Sequence, residues 1–159
     1  MRRLLVAVVF ALAVAPAASA RVDDPVQLDL RWPASGTVTT PFGWTEGRWH
    51  PGLDIGTLGS LDVRAAAAGR VRLVGAPAGF EGYGNVVVIG VGGPFETLYA
   101  HLAWARVRPG QIVAAGDLLG TAGCTGWCTG THLHFELREH GQAVDPSLLL
   151  PNPIGGHTV

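Results

Sequence analysis

The chain has 159 residues, with 11 basic side chains, all of them arginine, against 12 carboxylates for a formal charge of −1. That length holds one domain with a real hydrophobic core, and not comfortably two. Charge this thin and unclustered excludes a basic stripe for nucleic acid and a basic amphipathic helix for a membrane surface, so specificity must come from a local site.

Residues 1–20 follow the grammar of a secretory signal peptide. Met1, Arg2 and Arg3 give a positive start, residues 4–14 form a nearly unbroken apolar run, and Ala18-Ser19-Ala20 is a small-x-small end, with cleavage expected after Ala20. An uncleaved anchor is the alternative, but the run is short and alanine-rich for a span of about 20 apolar residues. Without it the chain carries nine arginines against twelve carboxylates, a formal charge of −3, and no membrane span is expected in the mature protein. An extracytoplasmic location follows, and a monomer is expected.

Residues 21–35 are polar and interrupted by proline, and read as a loose N-terminal lead-in. From Gly36 onward short apolar runs alternate with glycine. They predict strands over 37–40, 69–74, 85–91, 96–102, 111–113, 118–122 and 132–138, separated by Gly-rich turns at 79–84, 90–94 and 108–110. With 23 glycines and 11 prolines, little room is left for helices. One short helix is predicted from the Asp145-Pro146-Ser147 start, where Asp can cap and Pro takes the first helical position. The tail, 151–159, reads as frayed. These signals predict a single all-β domain over residues 36–150, mainly antiparallel, whose Gly-rich loops form a groove.

Four of the six histidines fall in three compact arrangements. In His50-Pro51-Gly52-Leu53-Asp54, Pro-Gly disfavours a helix, but a turn or short irregular segment leading into a strand can bring imidazole and carboxylate together instead. Along His132-Leu133-His134-Phe135-Glu136-Leu137, alternation sends His132, His134 and Glu136 to one face and the three apolar residues to the core. The two imidazoles then sit about 7 Å apart, which suits one metal ligand and one neighbouring acid/base group. In Tyr99-Ala100-His101-Leu102, the same alternation predicts that Tyr99 and His101 point together. A catalytic zinc takes three nitrogen or oxygen ligands and keeps one position open. His50, Asp54 and one histidine of the 132/134 pair would supply that set, with His101 and the remaining one beside it. There is no His-Glu-x-x-His, which excludes the thermolysin-type arrangement.

Cys124 and Cys128 lie four residues apart in a Gly/Thr-rich stretch. In an exported protein such a pair favours a local disulfide over a thiolate metal pair, which typically has two-residue spacing. So short a loop contributes about 2 kcal/mol or less to global stability, and its use is to stiffen a turn.

His50-x-x-x-Asp54, Tyr99-Ala100-His101-Leu102 and Gly130-Thr131-His132-Leu133-His134-Phe135-Glu136 stand together in an order and spacing that resembles the M23 peptidases, the lysostaphin-like or LytM-type endopeptidases. The Gly82-Tyr83-Gly84-Asn85 and Val107-to-Asp117 stretches are similar too, so the resemblance runs from about Gly36 to Pro146. It implies a lysostaphin-like peptidase core and a secreted zinc metalloendopeptidase acting on the peptide cross-links of bacterial peptidoglycan. The implied Zn²⁺ ligands are His50, Asp54 and His134, and the implied catalytic histidines are His101 and His132. All five are present, unlike in the metal-free members that only bind the wall or activate amidases. One departure is Phe42-Gly43-Trp44, where some glycyl-glycine-cutting members carry a tyrosine that steadies the reaction intermediate.

The remaining candidates read less sharply. Glu136 can orient an imidazole or be a surface carboxylate, and stays outside the expected site. His140 and His157 are expected in solvent. Trp44, Trp49, Trp104 and Trp127 are expected in the core or the groove wall, with Trp49 and Trp127 lining the cleft.

Overall fold

Residues 133–139 form the spine of the molecule. In the computed structural model, which describes residues 28–56 and 58–152, they become a central strand with neighbours on both sides. The strands are β1 (Thr37–Thr40), β2 (Gly43–Thr45), β3 (Arg48–His50), β4 (Leu53–Gly56), β5 (Asp62–Arg64), β6 (Gly69–Gly75) and β7 (Val86–Gly92). They continue with β8 (Phe95–Ala100), β9 (Leu102–Ala105), β10 (Ile112–Val113), β11 (Leu118–Ala122), β12 (Leu133–Glu139) and β13 (Gln142–Val144). An antiparallel sheet runs β1-β4-β12-β8-β7-β6-β10, with β13 added beside β12. A second sheet, β5-β11-β9, and the β2-β3 hairpin complete the fold.

The alternating pattern explains which face points where. Leu133, Phe135 and Leu137 of β12 are buried in the main core with Leu53 and Ile55 of β4 and Tyr99 of β8. The opposite face of β12 carries His134 and Glu136. Strand β7 is buried on both sides, because Val87 and Ile89 enter the main core while Val86 and Val88 join Leu98 and Ala100 in a smaller cluster under Phe80 and Tyr83. That double burial is why its sequence reads as an unbroken apolar run rather than an alternation. Where Gly52 crosses β12 only glycine fits, since a Cβ there would lie 2.3 Å from the Phe135 carbonyl oxygen.

All seven strands expected from the sequence are present. Strands β2, β3, β5, β9 and β13 were not anticipated, and β4 was expected only as an unbounded strand after the Pro51-Gly52 turn; each is three or four residues long, too short for a periodic signal. The expected strand over 96–102 breaks at His101, which takes a left-handed conformation (φ 59°) and separates β8 from β9. The expected helix near residue 145 is a single 3-10 turn, Pro146–Leu148, although Asp145 does cap it by accepting from the Ser147 N–H at 2.9 Å. No α-helix forms among the described residues, and no helix there is long and apolar enough to cross a membrane.

The expected loose lead-in is corrected over residues 28–35. Leu30 and Ala34 are buried in the core, and backbone hydrogen bonds tie Arg31 to Ala66 and Pro33 to Arg64. The Trp32 indole N–H donates to the Pro151 carbonyl, joining this segment to the start of the tail. The predicted signal segment, 1–20, and residues 153–159, with His157, lie outside the described residues.

Tyr99 fixes the crossing of three segments inside the core. Its fully buried hydroxyl accepts from the Ala66 N–H at 2.7 Å and donates to Thr97 Oγ1 at 3.1 Å. Burial pushes its pKa up to about 12 despite these contacts, so it stays a neutral donor and acceptor. Tyr99→Phe leaves the Ala66 N–H buried without a partner, and is expected to cost about 1–3 kcal/mol. Urea unfolding should show a lower midpoint with an unchanged slope; an unchanged midpoint would refute this role.

Candidate metal centre and catalytic cleft

Strand register brings the first two candidate groups together. In the β4–β12 ladder Asp54 stands directly opposite His134, so both side chains leave the sheet on the same side, as cross-strand partners do. His50 ends β3, and the Pro51-Gly52 turn folds its ring back over β4. The three donor atoms converge: His134 Nδ1 lies 2.8 Å from Asp54 Oδ1, and His50 Nε2 lies 3.1 Å from both Asp54 Oδ1 and His134 Nδ1. His50 and His134 are buried and Asp54 is half-buried.

The outer hydrogen bonds decide what those inner atoms can do. His50 Nδ1 is 2.8 Å from the Pro41 carbonyl oxygen, which can only accept, so Nδ1 carries the hydrogen and Nε2 turns a lone pair inward. His134 Nε2 donates to Glu136 Oε1 at 3.0 Å, leaving the Nδ1 lone pair inward. With neutral rings, two nitrogen lone pairs and a carboxylate oxygen face one another across about 3 Å and share no hydrogen. Such a gap is repulsive unless a proton or a cation fills it. The trio His50, Asp54 and His134 is therefore able to hold a metal ion, and its donor set of two imidazoles and one carboxylate suits zinc with a position left open. The two cysteines are joined in a disulfide and offer no thiolate.

Electrostatics agree with that geometry. Burial works against charge on Asp54, but the imidazoles of His134 and His50, either of which can hold a proton against its oxygen, keep its pKa well below the usual carboxylate range. Burial likewise opposes charge on His134, yet Asp54 at one nitrogen and Glu136 at the other raise its pKa above the ordinary imidazole value. A positive charge is favoured at the centre of the cluster.

Glu136 is the residue that sequence reasoning left out. It is 0% exposed. It accepts from His134 Nε2, from the Tyr83 hydroxyl at 2.7 Å and from Arg138 Nε at 2.6 Å. Burial opposes its ionisation, and the hydrogen bonds from His134 and Arg138 overcome that and lower its pKa. Tyr83, pushed up to about 12 by burial and by Glu136, remains a hydroxyl donor. Alternation along β12 did signal which face Glu136 occupies. Its burial comes from Tyr83, more than fifty residues away, which no local pattern encodes.

The other two histidines stand beside the trio. His101 and His132 rings have centroids 4.7 Å apart, His101 and His134 5.9 Å, and His132 Nε2 is 3.7 Å from Asp54 Oδ1. His101 Nδ1 donates to the Thr125 carbonyl and His132 Nδ1 to the Gly130 carbonyl, both at 2.8 Å. Each ring therefore keeps its Nε2 lone pair free for the cleft. Burial lowers the pKa of His101, favouring the neutral imidazole that a general base needs. The expectation that Tyr99 and His101 share a face is corrected: Tyr99 enters the core, whereas the left-handed turn at His101 swings its ring into the cleft. Such a conformation costs a non-glycine residue about 1–3 kcal/mol and persists only where the surroundings impose it. Here hydrogen bonds from the His101 and Leu102 N–H groups to the Tyr83 and Asn85 carbonyls do so.

All five residues line one cleft of about 920 Å³. Trp49 and Trp127 line it as expected. None of the four tryptophans singled out is in the core: Trp44 and Trp127 are 76% and 83% exposed, Trp49 stacks edge-on with Phe42, and Trp104 carries the Arg106 guanidinium on its face. His140 is exposed, as expected.

Known proteins match this chain in sequence and in fold. The family model described as Peptidase family M23 matches residues 48–146. The DD-carboxypeptidase/endopeptidase Mpg of Neisseria meningitidis serogroup B is 39% identical over 123 residues, covering 73% of this chain and 28% of that protein. The murein hydrolase activator NlpD of Escherichia coli K12 is 39% identical over 121 residues, covering 76% of this chain and 31% of that protein. The chain thus spans less than a third of the length of these relatives. A zinc-containing peptidase from Vibrio cholerae superposes with a TM-score of 0.63 at 31% identity, over 74% of this chain and 37% of that one. With that agreement over most of the described fold, the chain belongs to peptidase family M23.

Proposed function

We propose that this protein is a zinc-dependent metalloendopeptidase that hydrolyses peptide cross-links of bacterial peptidoglycan outside the cytoplasm. One observation carries the proposal: three inward lone pairs of His50, Asp54 and His134 meet in an open cleft, with two further imidazoles, of His101 and His132, held beside them by backbone carbonyls. In this reading the trio holds Zn²⁺, while His101 and His132 act on protons. The peptidoglycan assignment is supported by the names of the relatives Mpg and NlpD, and the extracytoplasmic one by the sequence pattern of residues 1–20.

When bound, the ion supplies Lewis-acid polarisation of the scissile carbonyl and lowers the pKa of the attacking water. The protein supplies the rest. His101, kept neutral by burial, presents Nε2 to accept the water proton, and His132 presents the same atom beside it. One imidazolium can then donate to the developing oxyanion or protonate the leaving amine. The chain has two tyrosines. Tyr99 is in the core, and the Tyr83 hydroxyl is engaged by Glu136. No tyrosine hydroxyl is left to steady the intermediate, so that task falls to the two histidines.

A second reading, a non-catalytic activator of other wall hydrolases, is favoured by the likeness to NlpD. Such a protein needs no metal, whereas this chain keeps a complete donor trio in which outer hydrogen bonds turn the lone pairs of both imidazoles inward. Metal content and product analysis separate the two. Purified protein should carry stoichiometric zinc and release cross-link peptides from peptidoglycan, as read by mass spectrometry. Chelation should stop the release and added zinc should restore it. Release that survives chelation would overturn the proposal, and zinc-free protein without activity would favour the activator.

Single substitutions divide the site into two classes. His50→Ala, Asp54→Ala and His134→Ala should lose the metal. His101→Ala and His132→Ala should keep it while turnover drops about 10²- to 10⁴-fold, as expected for loss of a proton-transfer group. Full turnover in either of the latter would reject its role. Glu136→Gln keeps the shape but removes the charge behind His134, and zinc affinity should fall about 10- to 100-fold with the fold intact. Competition against a chromogenic chelator measures this directly.

A further inference from the structure

The two histidines proposed to move protons owe their orientation to one short loop. The carbonyl that fixes His101 belongs to Thr125 and the one that fixes His132 belongs to Gly130. Residues 124–131 contain no strand or helix, so no ladder of their own holds these carbonyls in place. A segment with glycines at 126 and 130 has much conformational freedom to lose before it can aim two oxygens.

Three kinds of contact restrain it. Thr125 Oγ1 donates to the Leu102 carbonyl and accepts from the Asn85 N–H, both at 2.9 Å. The Trp127 N–H donates to the Gly82 carbonyl at 2.9 Å. Gly126, at φ 71°, packs so closely on Gly84 that a Cβ on it would lie 2.4 Å from the Gly84 nitrogen. The only covalent restraint is the Cys124–Cys128 disulfide, which closes the loop around Thr125. Its Cys128 Sγ also lies 2.9 Å from the Gly130 carbonyl oxygen and 3.8 Å from His132 Nδ1. The bridge thus brackets one histidine's partner and touches the other's.

We propose that the Cys124–Cys128 disulfide is a positioning clamp for His101 and His132, so that turnover, but not metal binding, depends on its oxidation state. This inference rests on the peptidase assignment above. The metal trio takes its outer hydrogen bonds from Pro41 and Glu136, neither of which belongs to the loop. Opening the bridge frees both carbonyls, lets each imidazole sample its other tautomer and displaces the Nε2 lone pairs. A misplacement of about 1 Å at a reacting group can cost on the order of 10²-fold in rate. Cys124 is exposed and Cys128 half-buried, so a reductant can reach them.

The test uses the zinc-loaded full chain and a water-soluble phosphine. Phosphorus is oxidised to the phosphine oxide with oxygen from water, and the two sulfurs take up two electrons and two protons to become thiols. Zinc content, circular dichroism and KM should stay constant while kcat falls about 10- to 100-fold. Reoxidation should restore kcat in the native protein, and a Cys124→Ser/Cys128→Ser variant should show the same loss without recovery. Nitrogen-15 spectra of the imidazoles supply a readout independent of activity: His101 and His132 should be Nδ1–H tautomers when oxidised and mixed when reduced. Unchanged tautomers on reduction would overturn the clamp, as would a fall in kcat that tracks lost zinc. If neither form cuts peptidoglycan, the peptidase assignment fails while the spectra still decide the clamp.

Discussion

The site depends on the pairing of Asp54 with His134 across β4 and β12. A side chain on a strand belongs to one face or the other, and a slip of one residue in this register would exchange the two faces of β12. Phe135 would then enter the cleft, and His134 and Glu136 the apolar core. Burial of Leu133, Phe135 and Leu137 against Leu53 and Ile55 makes that slip costly, so the same apolar contacts that stabilise the sheet also aim the donors. Gly52 adds a steric lock, since only a residue without a side chain passes so close to the Phe135 carbonyl. Fold and site are set by one choice of register.

Behind that pair runs a line of hydrogen bonds in which each partner determines the next. Arg138 and Tyr83 donate to Glu136, which fills its remaining capacity with the Nε2–H of His134 and forces the lone pair of that ring toward Asp54. A carboxylate with no exposure is expensive to keep charged unless fully paired, and Glu136 has three donors. Arg138, Glu136 and Asp54 together carry one negative charge, so a divalent ion turns a net anionic cluster into a cationic one facing the cleft. That sign is the useful one for the proposed peptidase, which has to stabilise negative charge on an attacked carbonyl.

The sequence revealed those parts of this arrangement that follow a local period. Alternation in residues 132–138 gave the spine, both of its faces and the placement of His134, and the Gly-punctuated apolar runs gave seven strands. His101 escaped the same logic, because a left-handed residue ends the strand and reverses the side to which its ring points, and nothing in Tyr-Ala-His-Leu marks that turn. Its position beside the trio was carried by resemblance rather than by periodicity. Glu136 was legible as to face but not as to burial. The strand β4 that bears Asp54 is too short to announce itself, and Leu30 and Ala34 are core residues in a segment whose prolines and charges suggested a loose end. What was missed is long-range contact, which spacing along the chain does not record.

The cleft has two walls of unequal stiffness. The metal trio rises from paired strands and from a turn pressed against them, and its tautomers are set by a backbone carbonyl and a buried carboxylate. His101 and His132 instead take their tautomers from an irregular loop held by a covalent bridge and a few hydrogen bonds. In the proposed mechanism metal affinity and proton transfer therefore draw on different parts of the structure, and a disturbance of the loop is expected to remove one while sparing the other. Relatives lacking the cysteines would have to restrain the same two carbonyls by packing alone. The bridge adds little to the stability of the whole chain, since so short a loop restrains little of its unfolded state. Its effect is concentrated where two lone pairs must stay aimed at one point, and there a small gain in rigidity weighs far more than it would elsewhere.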